Sequence, residues 1–331
     1  MSTPAPGRDP GAPALHRPAP LAAGDRAVII APCSPFDRAR FERGVRALQG
    51  LGLEPAFGEG LFAREPEPDA YLAGSDGRRL GELRAALEDP AARLLVLARG
   101  GYGLLRLIDR QDDRAQDGAM ISPAEIARAG KLLLGYSDAT VLHELWSRAG
   151  VPSIHGPMCT QLGEDDSATV RLRALLFGDD PGPLAWTPLR VPGARPGSAE
   201  GVLRGGNLAV LASLCGTPLQ PRFAGCVVLL EDLNEPPYRL DRLMTQLLLA
   251  GVLEGARGIV VGDLVGAGEP SQGRAEVVAE RLSSLGVPIA FGAPFGHAGR
   301  NQPVAFGCRH ALDAEVGTLV QLEPPVVRAV A

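Results

Sequence analysis

Short runs of apolar residues alternate along the first half of the chain with segments whose apolar positions recur at helical spacing. The runs RAVII, ARLLVLA and KLLLG are continuously apolar and are followed closely by Pro, Ser or Gly, as is typical of strands buried on both faces. Segments such as DRARFERGVRALQG and GSDGRRLGELRAALEDP have the period of an amphipathic helix. This alternation predicts an α/β fold with a parallel sheet covered by helices on both faces.

The pattern divides the chain into four parts. Pro interrupts the first residues every few positions, so we expect residues 1–22 to form a disordered Pro/Ala-rich arm. Residues 23–165 form the predicted N-terminal α/β domain. The periodicity fades over residues 166–199, a predicted linker that includes one helix at SATVRLRALLFG. Residues 200–331 restart the alternation and end in short strands between Gly, Pro and Asn turns, which predicts a smaller, β-rich C-terminal domain.

Composition excludes several classes of protein. The formal net charge of the 331 residues is −5 and no block of Lys or Arg occurs, which argues against a nucleic-acid partner. No apolar run approaches the roughly 18 residues that a membrane span needs. The five Cys residues are far apart and form no CxxC pair, so we expect buried thiols in a reducing compartment, no metal site and no cofactor. A cytoplasmic location follows as an expectation.

Three reactive side chains follow apolar segments of the predicted sheets, where reactive groups of open α/β sheets collect. Ser137 follows KLLLG, Glu231 follows CVVLL and His297 lies in APFGHAGRN. Each has an ordinary interpretation as well. Ser137 could simply cap the next helix, Glu231 could be a surface charge at a strand end, and His297 could be a solvated loop side chain. GYSDA also lacks the second Gly of the G-x-S-x-G nucleophile elbow.

The three residues together fit a nucleophilic mechanism better than each does alone. A Ser hydroxyl needs an adjacent base, His titrates near neutrality, and a carboxylate holds the imidazole in the required tautomer. The turn ARGGYG follows another apolar strand but matches neither glycine pattern of phosphate-binding loops. We therefore expect the backbone at Gly100 and Gly101 to approach a ligand closely. The N–H groups of Gly101 and Asp138 would then form an oxyanion hole.

The motifs as a set resemble the LD-carboxypeptidase family of serine peptidases from about residue 25 to residue 325. The resemblance rests on IAPCSP, YLAGSDGRRLGELRAALEDP, ARGGYG, GYSDAT, IHGPM, GGNLAVL, LEDLNEPPYRLDRLMTQL and PFGHAGRNQPVAFG. It implies a Rossmann-like N-terminal domain with a Ser elbow, a smaller β-rich domain with Glu and His, a cleft between them, and a homodimer. By motif, Ser137 would be the nucleophile, His297 the base and Glu231 the orienting acid.

The implied reaction removes the terminal D-alanine from a murein tetrapeptide during peptidoglycan recycling. A sister branch, the microcin C immunity carboxypeptidases, acts on peptide- or aminoacyl-nucleotide conjugates and is the alternative. An esterase-like hydrolase and a non-catalytic two-domain binding protein are further rivals. Glu235, Tyr238 and Arg239 are candidates for shaping the cleft. The group that binds the terminal carboxylate is left open among four residues: Arg99, Arg106, Arg239 and Arg300.

Overall fold

The first sheet has six strands, and three of them form at the continuously apolar runs of the sequence. The computed structural model describes residues 14–108, 121–266 and 271–328. The strands are β1 (Arg26–Ile30), β2 (Glu54–Ala56), β3 (Ala92–Leu97), β4 (Leu132–Gly135), β5 (Ser153–His155) and β11 (Val304–Phe306). Their spatial order is β11-β5-β4-β3-β1-β2, and every pair is parallel except β11 with β5.

Helices cover both faces of this sheet. They are α1 (Arg38–Gly50), α2 (Asp76–Glu88), α3 (Leu104–Ile108), α4 (Pro123–Ala129), α5 (Thr140–Arg148) and α6 (Asp166–Phe177). Residues of α1 and α6 pack on one face with Leu94 and Val96, whereas α2 to α5 pack on the other with Leu95 and Leu97. Because successive side chains of β3 enter two different cores, the strand is apolar at every position from Leu94 to Leu97.

The second sheet has seven strands and is mixed. They are β6 (Leu184–Ala185), β7 (Ser198–Asn207), β8 (Cys226–Leu233), β9 (Gly258–Val265), β10 (Ile289–Phe291), β12 (Arg309–Asp313) and β13 (Thr318–Gln321), in the order β10-β9-β8-β7-β12-β13-β6. Strands β7 to β10 are parallel, and the other three pair antiparallel. Residues of α7 (Leu208–Ser213), α8 (Pro237–Leu249) and α9 (Ser271–Leu282) pack on one face. The predicted fold class, a parallel-sheet α/β region with a second β-rich region, is confirmed.

The two sheets share buried residues. Val304 and Phe306 of β11 belong to the first sheet, yet their side chains pack with Val227, Leu229 and Val260 on the inner face of the second sheet. The C-terminal part of the chain therefore returns one strand to the N-terminal sheet, which the pattern of residues 200–331 does not indicate.

The segments predicted as arm and linker are structured where they are described. Residues 1–13 of the arm lie outside the described residues. His16 N–H donates to Gly150 O at 2.7 Å, and Leu21 N–H donates to Leu176 O at 2.9 Å. Residues 14–22 are therefore packed rather than disordered. Within 166–199, α6 forms at the predicted helix and β6 pairs with β13. The domain boundaries themselves stay a prediction.

Candidate active site

Ser137 occupies a strained turn between β4 and α5. Its φ is +63°, in the left-handed region that residues other than Gly rarely adopt. A short 3₁₀ helix, Ser137–Ala139, leads into α5, whose N-cap position is Ala139 and has no side-chain cap. The interpretation of Ser137 as an ordinary helix cap is therefore wrong. Strain of this kind persists only where the surrounding structure enforces it, and the Ser137 side chain there is half-buried.

The glycine turn after β3 lies directly against Ser137. A Cβ atom added to Gly100 would lie 3.0 Å from Ser137 Cβ and 3.2 Å from its Oγ, so a side chain there would press on the hydroxyl. The next residue, Gly101, lines a cavity together with Ser137, and the Tyr102 N–H donates to Ser34 Oγ at 3.1 Å. The structure thus brings the predicted oxyanion turn to the predicted nucleophile.

Glu231 and His297 form a buried pair. The His297 Nδ1–H donates to Glu231 Oε2 at 2.7 Å, and the two side chains are 14% and 0% exposed. Burial acts to lower the pKa of His297, but the hydrogen bond and charge of Glu231 outweigh it and raise that pKa above its usual value. With Nδ1 engaged as a donor in the neutral ring, Nε2 is left as the acceptor that a general base needs.

A cavity of about 600 Å³ lies over these groups and is open to solvent. Ser137 and His297 both line it, and the Tyr136 ring lies 4.7 Å from the His297 ring. Glu231 lies behind His297 and does not reach the cavity. Among the described residues, the other lining groups are Phe36, Asp37, Arg40, Arg99, Gly100, Gly101, Met158, Thr160, Gln161, Asn207, Ala209, Val210, Asp232 and Leu233.

Of the four candidate arginines, Arg99 alone lines this cavity. Its Nη1–H donates to Pro35 O at 2.6 Å, which orients an otherwise exposed guanidinium. Arg106 is held by Asp76 at 2.9 Å, outside the cavity lining. Arg239 pairs with Glu235 at 2.9 Å, and Arg300 is exposed; neither lines the cavity.

The other predicted site residues have different surroundings. Asp138 turns its carboxylate away from the cavity to accept the Leu104 N–H at 3.0 Å, and burial raises its pKa. Asp138 is not among the residues that line the cavity, so the predicted place of its N–H in the oxyanion hole stays a prediction. Tyr238 is 63% exposed in the first turn of α8. Neither it nor Glu235 lines the cavity, so the predicted role of these residues in shaping the cleft has no support in the geometry.

Asp232 is a lining residue that sequence reasoning did not single out. Its carboxylate accepts the N–H groups of Leu233 at 2.7 Å and Ala209 at 2.9 Å, and Asn207 donates to it at 3.3 Å. Burial and the charge of Glu231 raise its pKa to about 7. The signal was present as a second acid directly after Glu231 near the end of an apolar strand, where the reactive groups of open α/β sheets collect.

Disulfides, metal sites and membrane-spanning helices are not found among the described residues. None of the five Cys residues, all of which lie in the described ranges, forms a disulfide, and the side chains of Cys33, Cys159, Cys226 and Cys308 are buried. Within the described ranges, no group of three or more His, Cys, Asp and Glu side chains is placed to hold a metal ion. Over those same ranges, every helix is too short or too polar to cross a bilayer.

Comparison with known proteins gives one consistent result. Residues 28–156 match the model of the LD-carboxypeptidase N-terminal domain, and residues 200–312 match that of the LD-carboxypeptidase C-terminal domain. The murein tetrapeptide carboxypeptidase of Pseudomonas aeruginosa is 30% identical over 297 residues, which is 85% of this chain and 91% of that protein.

Solved structures agree with these matches. The crystal structure of muramoyltetrapeptide carboxypeptidase from Oxalobacter formigenes superposes with a TM-score of 0.73 at 26% identity, over 89% of this chain and 97% of the other. The microcin C7 self-immunity protein MccF in complex with aspartyl sulfamoyl adenosine has a TM-score of 0.77 at 21% identity, over 94% and 99% of the two chains. At that identity MccF supports the fold alone.

Proposed function

This chain belongs to the LD-carboxypeptidase family of serine carboxypeptidases, and from that premise we propose that it removes the terminal D-alanine from murein tetrapeptides. The observation that carries the proposal is the His297–Glu231 pair, 2.7 Å apart, at a cavity that also exposes a strained Ser137. The activity named for the Pseudomonas and Oxalobacter relatives supports the choice of substrate. The peptide would be a product of peptidoglycan recycling.

In the proposed mechanism His297 acts first as the base. Its Nε2 takes the proton of the Ser137 hydroxyl as Oγ attacks the carbonyl carbon before D-alanine, while Glu231 stabilises the imidazolium. The N–H groups of Gly101 and Asp138 would receive the negative oxygen of the tetrahedral intermediate. The imidazolium then protonates the leaving amine of D-alanine. Water, deprotonated by the same nitrogen, releases the peptide from the acyl-enzyme.

Arg99 would bind the free carboxylate of D-alanine. It lines the cavity next to the glycine turn, and its bond to Pro35 O leaves the other guanidinium N–H groups to donate. Arg40 also lines the cavity, but Glu164 holds its Nη2 at 2.9 Å. A basic group at this point selects the end of a peptide over an internal bond, which is the property that separates a carboxypeptidase from an endopeptidase.

Mass spectrometry of a murein tetrapeptide ending in D-alanine tests the proposal. Purified protein should release one D-alanine, and Ser137→Ala should lower turnover by about 10⁴-fold or more. Ser283→Ala, which removes a surface hydroxyl bonded to Glu280 O, is the matched control and should remain active. Release by Ser137→Ala at the control's rate would refute the mechanism. Wild-type cleavage of aminoacyl-nucleotide conjugates but not of the tetrapeptide would favour the MccF-like alternative.

We also propose that the protein is cytoplasmic and that it forms a homodimer. A cytoplasmic location fits a substrate that returns to the cell during wall recycling, and a homodimer fits the family resemblance. Cell fractionation and light scattering of the purified full chain test these two points independently of the chemistry. Recovery of the protein with the cell envelope, or a monomeric mass, would contradict them.

A further inference from the structure

A single buried hydroxyl joins the turn of Ser137 to the second sheet. Thr140, the first residue of α5, is 1% exposed. Its Oγ1–H donates to Ser137 O at 2.7 Å, and its Oγ1 accepts the backbone N–H of Asn207 at 3.0 Å. A hydroxyl has one hydrogen and two lone pairs, so both bonds can exist at once.

Asn207 leads from this hydroxyl directly to the His297–Glu231 pair. It is the last residue of β7, and in the parallel ladder it lies opposite Glu231 of β8. Glu231 in turn holds His297. The path from the Ser137 carbonyl to the base therefore runs through two hydrogen bonds, one strand pairing and one ion pair. The hydrogen bond from Asn207 is buried, and those at Ser137 and His297 are partly buried.

The backbone approaches Thr140 closely at this junction. Gly206, at φ +136°, precedes Asn207, and a Cβ atom added there would lie 2.8 Å from Thr140 Cγ2 and still closer to its Oγ1. Gly is therefore required for β7 to come this near to α5. One turn further along α5, Glu144 pairs with Arg204 of β7 at 2.5 Å, which fixes the same two elements at a second level.

We propose that Thr140 is a positioning residue that sets the separation between Ser137 and His297. The nucleophile belongs to the first sheet and the base to the second, so the geometry of proton transfer depends on how the sheets are held together. Packing alone tolerates small displacements, whereas two hydrogen bonds to one oxygen define a distance. The inference rests on the proposed function, because it assigns a role in the reaction of Ser137.

Three variants of Thr140 separate the effect of the hydroxyl from that of the rest of the side chain. Thr140→Val keeps the shape of wild type and loses the hydroxyl, while Thr140→Ser and Thr140→Ala differ from each other only by that hydroxyl. The control is Thr169→Val. The Thr169 hydroxyl donates to Asp165 O at 3.0 Å near the start of α6, a similar backbone bond outside the cavity lining.

Two rates are measured on each full-length protein, together with its urea unfolding curve. The first is kcat and KM for D-alanine release. The second is the acylation of Ser137 by a small uncharged nitrophenyl ester, followed by the release of nitrophenol, which reports nucleophile activation without binding of the peptide substrate. We expect Thr140→Val to lose about 10²-fold in kcat and in acylation rate with KM little changed, since small misplacements of reacting groups have effects of that size. Thr140→Ser should react much faster than Thr140→Ala, and Thr169→Val should match wild type.

Each remaining outcome overturns the inference. If wild type is acylated and Thr140→Val reacts equally fast, Thr140 does not position the pair. If Ser and Ala variants lose activity equally, in proportion to lost stability, the role is packing only. If Thr140→Val does not fold, the comparison of Thr140→Ser with Thr140→Ala still shows whether the hydroxyl positions Ser137 and His297. A wild-type protein that is neither acylated nor active would refute the proposed function itself, and this inference with it.

Discussion

Replacing Glu231 by Gln tests the site most directly, because kcat should fall strongly whereas the stability of the fold should fall only at acidic pH. The carboxylate is fully buried, its Oε2 accepts the Nδ1–H of His297 at 2.7 Å, and its Oε1 has no hydrogen-bond partner among the described residues. Gln keeps the shape of the side chain and removes the charge. Its amide can also donate to Nδ1, which would place the ring proton on Nε2 and abolish the base.

The expected loss of kcat in Glu231→Gln is about 10⁴-fold, the size found when a triad carboxylate is made neutral and the wrong tautomer results. That factor corresponds to roughly 5 kcal/mol of transition-state stabilisation. D-alanine release from the tetrapeptide measures it. Glu200→Gln, which removes a half-exposed carboxylate paired with Arg309, is the control and should keep full activity.

Stability should change in a pH-dependent way. The raised pKa of His297 means that the ion pair stabilises the fold fully below about pH 6.5, and that this contribution is lost as the pH rises through the folded-state pKa. At high pH only a hydrogen bond to a charged group remains, worth about 1.5–3 kcal/mol. The burial cost of a carboxylate, several kcal/mol, opposes it. Glu231→Gln should therefore be as stable as wild type near pH 8.5 and less stable near pH 5.5.

Urea unfolding at these two values, followed by Trp fluorescence, checks the stability argument. A variant that retains more than about one-tenth of wild-type kcat would refute the tautomer argument. A difference in unfolding free energy that is the same at both pH values would show that His297 does not titrate as the structure indicates.

Three further substitutions test other parts of the cavity. Asp232→Asn removes a charge that helps to raise the pKa of His297, so the acidic limb of the kcat/KM profile should move to lower pH. Arg99→Met removes the proposed carboxylate ligand and should raise KM for the tetrapeptide about 10- to 100-fold, with less effect on a substrate amidated at its C-terminus. Gly100→Ala places a methyl group 3.0 Å from Ser137 Cβ and should lower kcat by about 10²-fold without unfolding the protein.

Each of these substitutions has a control on the same chain. Gly77→Ala adds a methyl group where nothing lies within 4 Å, and Arg106→Met removes an arginine paired with Asp76 outside the cavity lining. Asp241→Asn removes a carboxylate of α8 that pairs with Arg281 of α9. An acidic limb unmoved in Asp232→Asn, an unchanged KM in Arg99→Met, or a Gly100→Ala protein as active as Gly77→Ala would each contradict the corresponding argument.

Local patterns in the sequence predicted the strands of the first sheet from their apolar runs and singled out Ser137, Glu231 and His297 as candidate residues. The continuous apolar runs predicted parallel strands because both faces of such a strand are buried, and β3 and β4 form at those runs. Ser137 and Glu231 were identifiable because polar residues directly after or at the end of apolar strands stand out against the pattern. These are properties of residues that are neighbours in the sequence, so they can be recognised without knowledge of the fold.

Only the tertiary structure decided which of these residues meet. It placed Arg99 at the cavity and Arg106 outside its lining, returned β11 to the first sheet, and packed residues 14–22 against α6 and the loop after α5. The left-handed φ of Ser137 and the junction of Thr140 with Asn207 also needed the fold. These contacts join positions far apart in the chain. They depend on the register and packing of whole elements, whereas hydrophobic periodicity specifies only the face of each element that is buried.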